Sequence, residues 1–267
     1  MNILLSTNAF IKTGFNPLKE LLSNYGTFQF GLELFPNFEN ENFEKELLEI
    51  RDIIKDRPLS MHGPYFKVEH TAEKGTESYD YAMEQIEQTL RVCEDLNINH
   101  LVFHHNNKKI NDENKLKSLS ESKKNLQELN EICKKSNVEI LVENAGVYDK
   151  ENVLFNEKEF IEMCKEEGNN VLIDIGHVNA NKWSLENIIT SLKNQITHYH
   201  LHNNSAGRDD HNRIHDGSLD FERFISLYNT HTPNATLVLE YNYDLGNDIK
   251  AVQEDLDYLF KTFKTNN

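Results

Sequence analysis

Short apolar runs alternate with longer amphipathic stretches at nearly even intervals along the chain. The runs are rich in Val, Ile and Leu, which is typical of strands buried on both faces of a parallel sheet. We predict eight strands on this basis: Asn2–Ser6, Phe28–Leu34, Leu59–His62, His100–His104, Glu139–Glu143, Val171–Asp174, His198–His202 and Thr236–Glu240.

The stretches between the runs follow helical periodicity. Met83, Ile86 and Leu90, for example, lie three or four residues apart, which places them on one face of a helix. Six helices are clear from this pattern: Phe43–Ile54, Ser78–Leu96, Lys115–Lys135, Glu157–Glu167, Phe221–Asn229 and Asp248–Phe263. Two more, Pro17–Tyr25 and Leu185–Leu192, are weaker candidates.

Strands that alternate with helices pair in parallel, and eight such units favour a closed barrel. The length of 267 residues suits a barrel of this kind, which typically needs about 250 residues. No Pro/Ser-rich linker or break in composition divides the chain. A doubly wound open sheet is the alternative, but no Gly-x-Gly-x-x-Gly motif follows the first strand. We therefore expect an α/β fold, a single (β/α)8 TIM barrel spanning residues 1–267.

Composition indicates which partners and which cell compartment suit the protein. The 44 acidic residues outnumber the 28 basic ones and give a net charge of -16, which disfavours a nucleic-acid partner. Three widely spaced cysteines suit a reducing cytoplasm and argue against a disulfide framework or a thiolate zinc site. No apolar run has the length of a membrane span, and the start does not resemble a signal peptide. We expect a cytoplasmic protein without a membrane partner, and the sequence leaves its oligomeric state open.

Ionisable side chains stand at the carboxyl ends of seven of the eight predicted strands. They are Glu33, His62, His104, Glu143, Asp174, one or more of the histidines at 198, 200 and 202, and Glu240. In a barrel these ends face one mouth, where active sites form. An ionised group costs several kcal/mol to bury unless it is paired or bound to a metal. Imidazoles and carboxylates at one mouth therefore predict a site for a divalent cation.

Loop residues extend this pattern. Asp209 and His211 lie two residues apart after the seventh strand, so both side chains could reach the same ion. Arg208 lies near the expected mouth and is a candidate for a substrate contact. Tyr65, after Pro64, could stack against a sugar or a base, and a packing role fits it equally well.

Together these motifs resemble the xylose isomerase-like TIM-barrel superfamily, which includes sugar isomerases and epimerases, inosose dehydratases and endonuclease IV. The resemblance runs from Glu33 to Glu240. It is carried by Met-His62-Gly-Pro-Tyr65, Val-Phe-His104, Glu143-Asn-Ala-Gly, Asp174-Ile-Gly-His177, His200-Leu-His202-Asn, Asp209-Asp-His211 with Gly217-Ser-Leu-Asp-Phe, and Leu-Glu240.

Resemblance to the epimerases implies one manganese or similar ion held by Glu143, Asp174, His200 and Glu240. Glu143 and Glu240 would also form the catalytic acid–base pair, and His177 would contact the substrate. For Glu33, a substrate hydroxyl acceptor and a structural contact are both open.

Resemblance to endonuclease IV implies up to three zinc ions. Nine positions would hold them: His62, His104, Glu143, Asp174, His177, His200, Asp209, His211 and Glu240. One departure from the family pattern is Asn203, where an acid usually follows the metal-binding histidine. His202 could replace His200 as the ligand or contact substrate, because His198, His200 and His202 share a strand face.

We expect a metal-dependent isomerase or epimerase of a small sugar, keto-polyol or sugar phosphate. The alternative is a zinc phosphodiesterase acting at abasic sites in DNA, which the negative charge and the absence of a basic rim disfavour. A non-enzymatic binding barrel is a third hypothesis, which the complete set of acids and imidazoles makes less attractive. One tightly held ion would favour isomerisation, and two or three zinc ions would favour hydrolysis.

Overall fold

The computed structural model describes residues 2–205 and 207–263. Its eight strands pair in parallel with their neighbours in chain order, and the eighth returns to the first, so the barrel closes. The predicted (β/α)8 TIM barrel is therefore confirmed. The strands are β1 Ile3–Ser6, β2 Gly31–Leu34, β3 Leu59–Met61, β4 His100–Phe103, β5 Glu139–Glu143, β6 Asn170–Asp174, β7 Ile196–Leu201 and β8 Thr236–Leu239.

Nine α-helices occur in the described residues. They are α1 Asn16–Ser23, α2 Phe43–Ile54, α3 Glu77–Leu96, α4 Lys115–Lys135, α5 Glu157–Glu167, α6 Ile175–Ala180, α7 Leu185–Leu192, α8 Phe221–His231 and α9 Ile249–Thr262. Short 3-10 turns cover Thr7–Phe10, Tyr148–Lys150 and Leu245–Asn247. The predicted bounds of α2, α4, α5 and α7 are the observed ones.

Local sequence explains where the helices begin and end. In α5 the Asn156 side chain accepts from the backbone N–H of Glu159, and the Glu159 side chain accepts from that of Asn156. The helix ends at Gly168, whose φ of +76° is a left-handed conformation that glycine adopts without steric cost. The short helix α6 was not predicted. It begins at the end of β6, where Asp174 caps it by accepting from the N–H of His177.

Alternation along the strands separates a large outer core from a small inner one. One set of strand residues packs against the helices, and Val102, Leu141 and Leu172 form a separate buried cluster within the barrel. Because successive side chains point to opposite faces, Glu143 and Asp174 follow Leu141 and Leu172 on the inner face. The inner core therefore supports polar residues at the carboxyl end of the barrel.

Four of the eight strands end one residue earlier than predicted, and the other four end as predicted. His62, His104, His202 and Glu240 each lie one residue beyond a strand end. Within residues 2–205 and 207–263, no helix is both long and apolar enough to cross a membrane.

Candidate metal centre

A cavity of about 720 Å³ opens at the carboxyl ends of the strands. Nine of the predicted site residues line it: His62, Tyr65, His104, Glu143, His177, Arg208, Asp209, His211 and Glu240. The other four, Glu33, Asp174, His200 and His202, do not line it and are fully buried, each with 0% exposure. The predicted residues thus form one cluster with a layer that lines the cavity and a layer buried behind it.

His200 lies at the centre of the buried layer. It stands directly across from Asp174 in the register of β7 with β6. Its Nδ1 atom is 3.2 Å from Glu240 Oε2, 3.6 Å from Glu143 Oε2 and 3.8 Å from Asp174 Oδ2. His200 therefore faces all three carboxylates of the predicted four-ligand set.

The two neighbouring histidines of β7 are placed differently. The His198 ring lies 4.9 Å from that of His100, which begins β4. His202 Nε2 is 2.9 Å from Asp174 Oδ2, and its ring stacks on His211 with 3.8 Å between centroids. Two stacked parallel rings cannot both direct their in-plane lone pairs at one ion. The stacking therefore favours His202 as a support for Asp174 and His211 over a role as a ligand beside His211.

A second group lies beside Glu143. His104 Nε2 is 2.8 Å from Glu143 Oε2, and the His62 and His104 rings are 4.9 Å apart. His62 Nδ1 donates to the carbonyl of Gly63 at 2.7 Å, which leaves the lone pair of a neutral ring on Nε2. That Nε2 atom is 3.8 Å from Glu240 Oε1. His62, His104 and Glu143 thus offer ligand atoms within 4.8 Å of one another.

A third group contains the two loop residues. Asp209 Oδ1 is 3.4 Å from His177 Nε2 and 3.1 Å from His211 Nε2. The other ring nitrogen of His177 is 3.3 Å from Glu143 Oε1, which links this group to the second. Lys150, which the sequence did not indicate, places its Nζ 2.6 Å from Asp209 Oδ2.

Asn203 organises the loop that carries Asp209 and His211. Its side-chain amide donates to the carbonyl of Ile214, and its Oδ1 accepts from the N–H of Leu219. A carboxylate could not donate the first of these bonds. The departure from the family pattern at this position therefore has a local role in closing the loop.

A second support was missed in the sequence. The Asn144 side chain donates to the carbonyl of Asp174 at 3.0 Å and accepts from its N–H at 2.7 Å. The only signal was its position directly after Glu143 at a strand end.

Opposite charges set the pKa values within this cluster. Burial alone would lower the pKa of His200, but Glu240, Glu33 and Glu143 outweigh it and raise that pKa well above its usual value. Burial alone would raise the pKa of Glu143, but His104 and His200 hold it well below the usual range. The pKa of Glu240 is likewise lowered by His200 and His211 against the effect of burial. Both glutamates are ionised near neutral pH.

Buried polar atoms without a hydrogen-bond partner indicate whether this cluster could hold a cation. Seven buried side-chain atoms of the described residues lack a hydrogen-bond partner, and five belong to this cluster: Glu143 Oε1, His177 Nδ1, His200 Nδ1, His202 Nδ1 and Asp209 Oδ1. Such atoms cost free energy unless something satisfies them. Nitrogen and oxygen donors suit zinc or manganese. The residues therefore fit a divalent ion.

Solved structures with the same fold are numerous. A D-tagatose 3-epimerase-like protein is 16% identical, with 98% of each chain covered and a TM-score of 0.77. D-psicose 3-epimerase of Clostridium cellulolyticum H10 is 15% identical, with 98% of this chain and 99% of that chain covered and a TM-score of 0.74. The IOLI protein with a bound zinc atom is 15% identical, with 99% and 100% covered and a TM-score of 0.73. At these identities the likeness establishes the fold alone.

Sequence comparison gives one match to part of the chain and one match to nearly all of it. An uncharacterized protein of Methanocaldococcus jannaschii is 34% identical over 108 residues, which are 40% of this chain and 41% of that protein. The chain thus covers about two fifths of that relative's length. The family model described as "Xylose isomerase-like TIM barrel" matches residues 20–262. The chain therefore belongs to the xylose isomerase-like TIM barrel family.

Proposed function

We propose that this protein is a divalent-metal-dependent isomerase or epimerase of a small sugar or sugar phosphate. One observation carries the proposal. Glu143 and Glu240, from strands on different sides of the barrel, both approach Nδ1 of His200 and both line the cavity. Two ionised carboxylates thus border one space of about 720 Å³, which suits a small molecule.

The ion would be held by Glu143, Asp174, His200 and Glu240. When bound, it supplies positive charge that polarises a substrate carbonyl and stabilises negative charge developing on its oxygen. Zinc and manganese both suit this donor set.

The chain's own residues would move the proton. One of Glu143 and Glu240 takes a proton from the carbon beside the carbonyl and becomes a carboxylic acid. The other glutamate passes a proton from water to the opposite face of that carbon, and the hydroxide left behind accepts the proton that the first glutamate holds, so both carboxylates are restored. His177 lines the cavity beside Glu143 and can orient a substrate hydroxyl. Tyr65 and Phe35 supply an apolar wall.

Charge pairing at the cavity favours a small substrate over DNA. Each lysine or arginine that lines it among the described residues has an acidic partner: Lys12 with Asp244, Lys150 with Asp209, and Arg208 with Asp210. A duplex binder needs several cations that are available to phosphates. The net charge of -16 points the same way.

A zinc phosphodiesterase similar to endonuclease IV is the second candidate, and one observation favours it. His177 and His211 both approach Asp209, and these three residues lie beyond the four that one ion needs. Together with His62 and His104 they would allow two or three ions per chain.

Metal content and hydrogen exchange separate the two candidates. Protein purified without added metal is analysed for its elements, then loaded with Mn²⁺ or Zn²⁺ and incubated in D2O with ketohexoses and their phosphates. We expect a sugar product that carries deuterium at one carbon. Glu143→Gln should abolish that exchange, and Glu139→Gln, an exposed position on the same strand, should retain it.

Either of two results would contradict the proposal. Exchange that survives in Glu143→Gln would remove the proton-transfer role. Two or three zinc ions per chain, with cleavage of abasic DNA and no exchange into any sugar, would establish the second candidate instead.

A further inference from the structure

A buried pair of side chains lies directly beneath the candidate metal centre. Glu33, on β2, and His200, on β7, both have 0% exposure. Glu33 Oε1 is 2.8 Å from His200 Nε2. The second oxygen of Glu33 accepts a hydrogen bond from Ser60 Oγ at 3.0 Å. Ser60 stands directly across from Glu33 in the register of β2 with β3, so the sheet itself sets this contact.

These contacts argue against Glu33 as a substrate or metal contact. Both of its carboxylate oxygens already have partners. Its side chain does not line the cavity, so a substrate in the cavity would meet Glu143 and Glu240 first. Glu33 therefore acts on whatever binds above it through His200.

The hydrogen bond to Glu33 determines which nitrogen of His200 has a lone pair available to a metal ion. A neutral imidazole carries one N–H, and a carboxylate can only accept. The N–H therefore lies on Nε2, and the lone pair lies on Nδ1. That Nδ1 atom is buried without a hydrogen-bond partner and lies within 3.8 Å of three carboxylates. In the neutral ring that metal binding requires, this lone pair faces three anions, which is unfavourable unless a cation, either a proton or a metal ion, lies between them.

We propose that Glu33 is a positioning residue that sets the tautomer and orientation of His200, so that Nδ1 can bind a divalent ion. The inference rests on the metal centre of the proposed function. A carboxylate that accepts from the distal nitrogen of a metal-binding histidine strengthens its binding, and losing such a partner typically costs 10–100-fold in metal affinity. Ser60 holds the carboxylate in place from the neighbouring strand.

The test measures metal affinity and apo-protein stability separately, in the full chain. Zn²⁺ dissociation constants are determined by competition with a chromophoric chelator, and thermal unfolding is followed in EDTA. Glu33→Gln keeps the shape of the side chain, and we expect it to raise the Zn²⁺ Kd about 10–100-fold. Ser60→Ala should raise it by a smaller factor, about five-fold, because the carboxylate of Glu33 loses one supporting hydrogen bond but keeps its contact with His200. Glu139→Gln, the same substitution at an exposed strand position, should leave it unchanged.

The outcomes separate this inference from the proposed function. If the parent chain binds no Zn²⁺ or Mn²⁺ in stoichiometric amounts, both fail. If the parent binds and Glu33→Gln binds equally well, while its apo protein unfolds at a lower temperature, Glu33 is merely structural and only this inference fails. Should Glu33→Gln not fold, the Kd of Ser60→Ala decides, and an unchanged value overturns the inference.

Discussion

We predict that the stability of this protein depends on pH in opposite directions without and with a bound divalent ion. The clearest group is His211, which faces the candidate centre. Burial alone would lower the pKa of His211. The carboxylates of Asp209, Glu240 and Asp174 outweigh burial and raise that pKa from 6.5 to about 9.

The sign follows from the direction of the shift. A histidine whose pKa is higher in the folded state stabilises the fold fully below its unfolded pKa, and the stabilisation is lost as pH rises through the folded pKa. For His211 that window runs from pH 6.5 to about 9. A change of this size is worth about 3 kcal/mol, because one pKa unit corresponds to about 1.4 kcal/mol. The raised pKa values of His177 and His200 act in the same direction.

The pKa of His104 is also raised, by Glu143 against the effect of burial, so His104 acts in the same direction. The acidic groups of the cluster and His62 fall outside this window. The pKa values of Glu143, Asp209 and Glu240 are lowered, so their contribution is lost only as pH falls below the unfolded carboxyl range. The pKa of His62 is lowered, mainly by burial, so its effect appears below pH 6.5. The apo protein should therefore lose stability steadily from pH 6.5 to 9.

The metal-loaded protein should behave in the opposite way. An imidazole must be neutral to bind an ion, so rising pH strengthens binding and with it the folded state. Thermal unfolding of EDTA-treated and Zn²⁺-loaded protein at several pH values from 6.5 to 9 compares the two. For a domain of this size, about 3 kcal/mol corresponds to a fall of roughly 6–12 °C in the apo Tm.

Two variants show whether His211 contributes to the pH dependence of the apo Tm. His211→Gln should remove much of the apo slope, and His215→Gln, at an exposed position in the same loop, should retain it. An apo Tm that is flat or rises between pH 6.5 and 9 would refute the reasoning about these buried pairs.

Two further substitutions test the support of the site and of the barrel. Gly176→Ala would place a Cβ 2.0–2.5 Å from ring atoms of His202, which is buried and stacked on His211. We therefore expect this substitution to lower the unfolding free energy by about 1–3 kcal/mol in urea and to weaken Zn²⁺ binding in chelator competition. Arg57 donates to four backbone carbonyls between residues 22 and 30 on the outside of the barrel. Arg57→Leu should therefore lower the urea-unfolding free energy by about 2–4 kcal/mol without changing the Zn²⁺ Kd. A changed Kd would contradict the view that Arg57 supports the barrel and not the site.

Periodicity in the sequence was sufficient to predict the barrel and most of its elements. Long helices such as Lys115–Lys135 repeat their apolar face over several turns, which makes their bounds readable. The helix Ile175–Ala180 was missed because it spans six residues and depends on the Asp174 side chain for its start. The predicted strand Phe28–Leu34 begins later, at Gly31, and Phe28 is 82% exposed.

The residues of the candidate site could be named from the sequence because the carboxyl ends of parallel strands meet at one mouth. Which of them faces the carboxylates and which supports a neighbouring side chain could not be predicted from the sequence. His198, His200 and His202 have the same spacing on one strand face, and only the pairing of β7 with β6 places His200 across from Asp174. Its contact with Glu33 joins residues 167 positions apart. Local patterns reflect the geometry of one helix or strand, whereas closure of the barrel decides which distant side chains share a proton, a hydrogen bond or an ion.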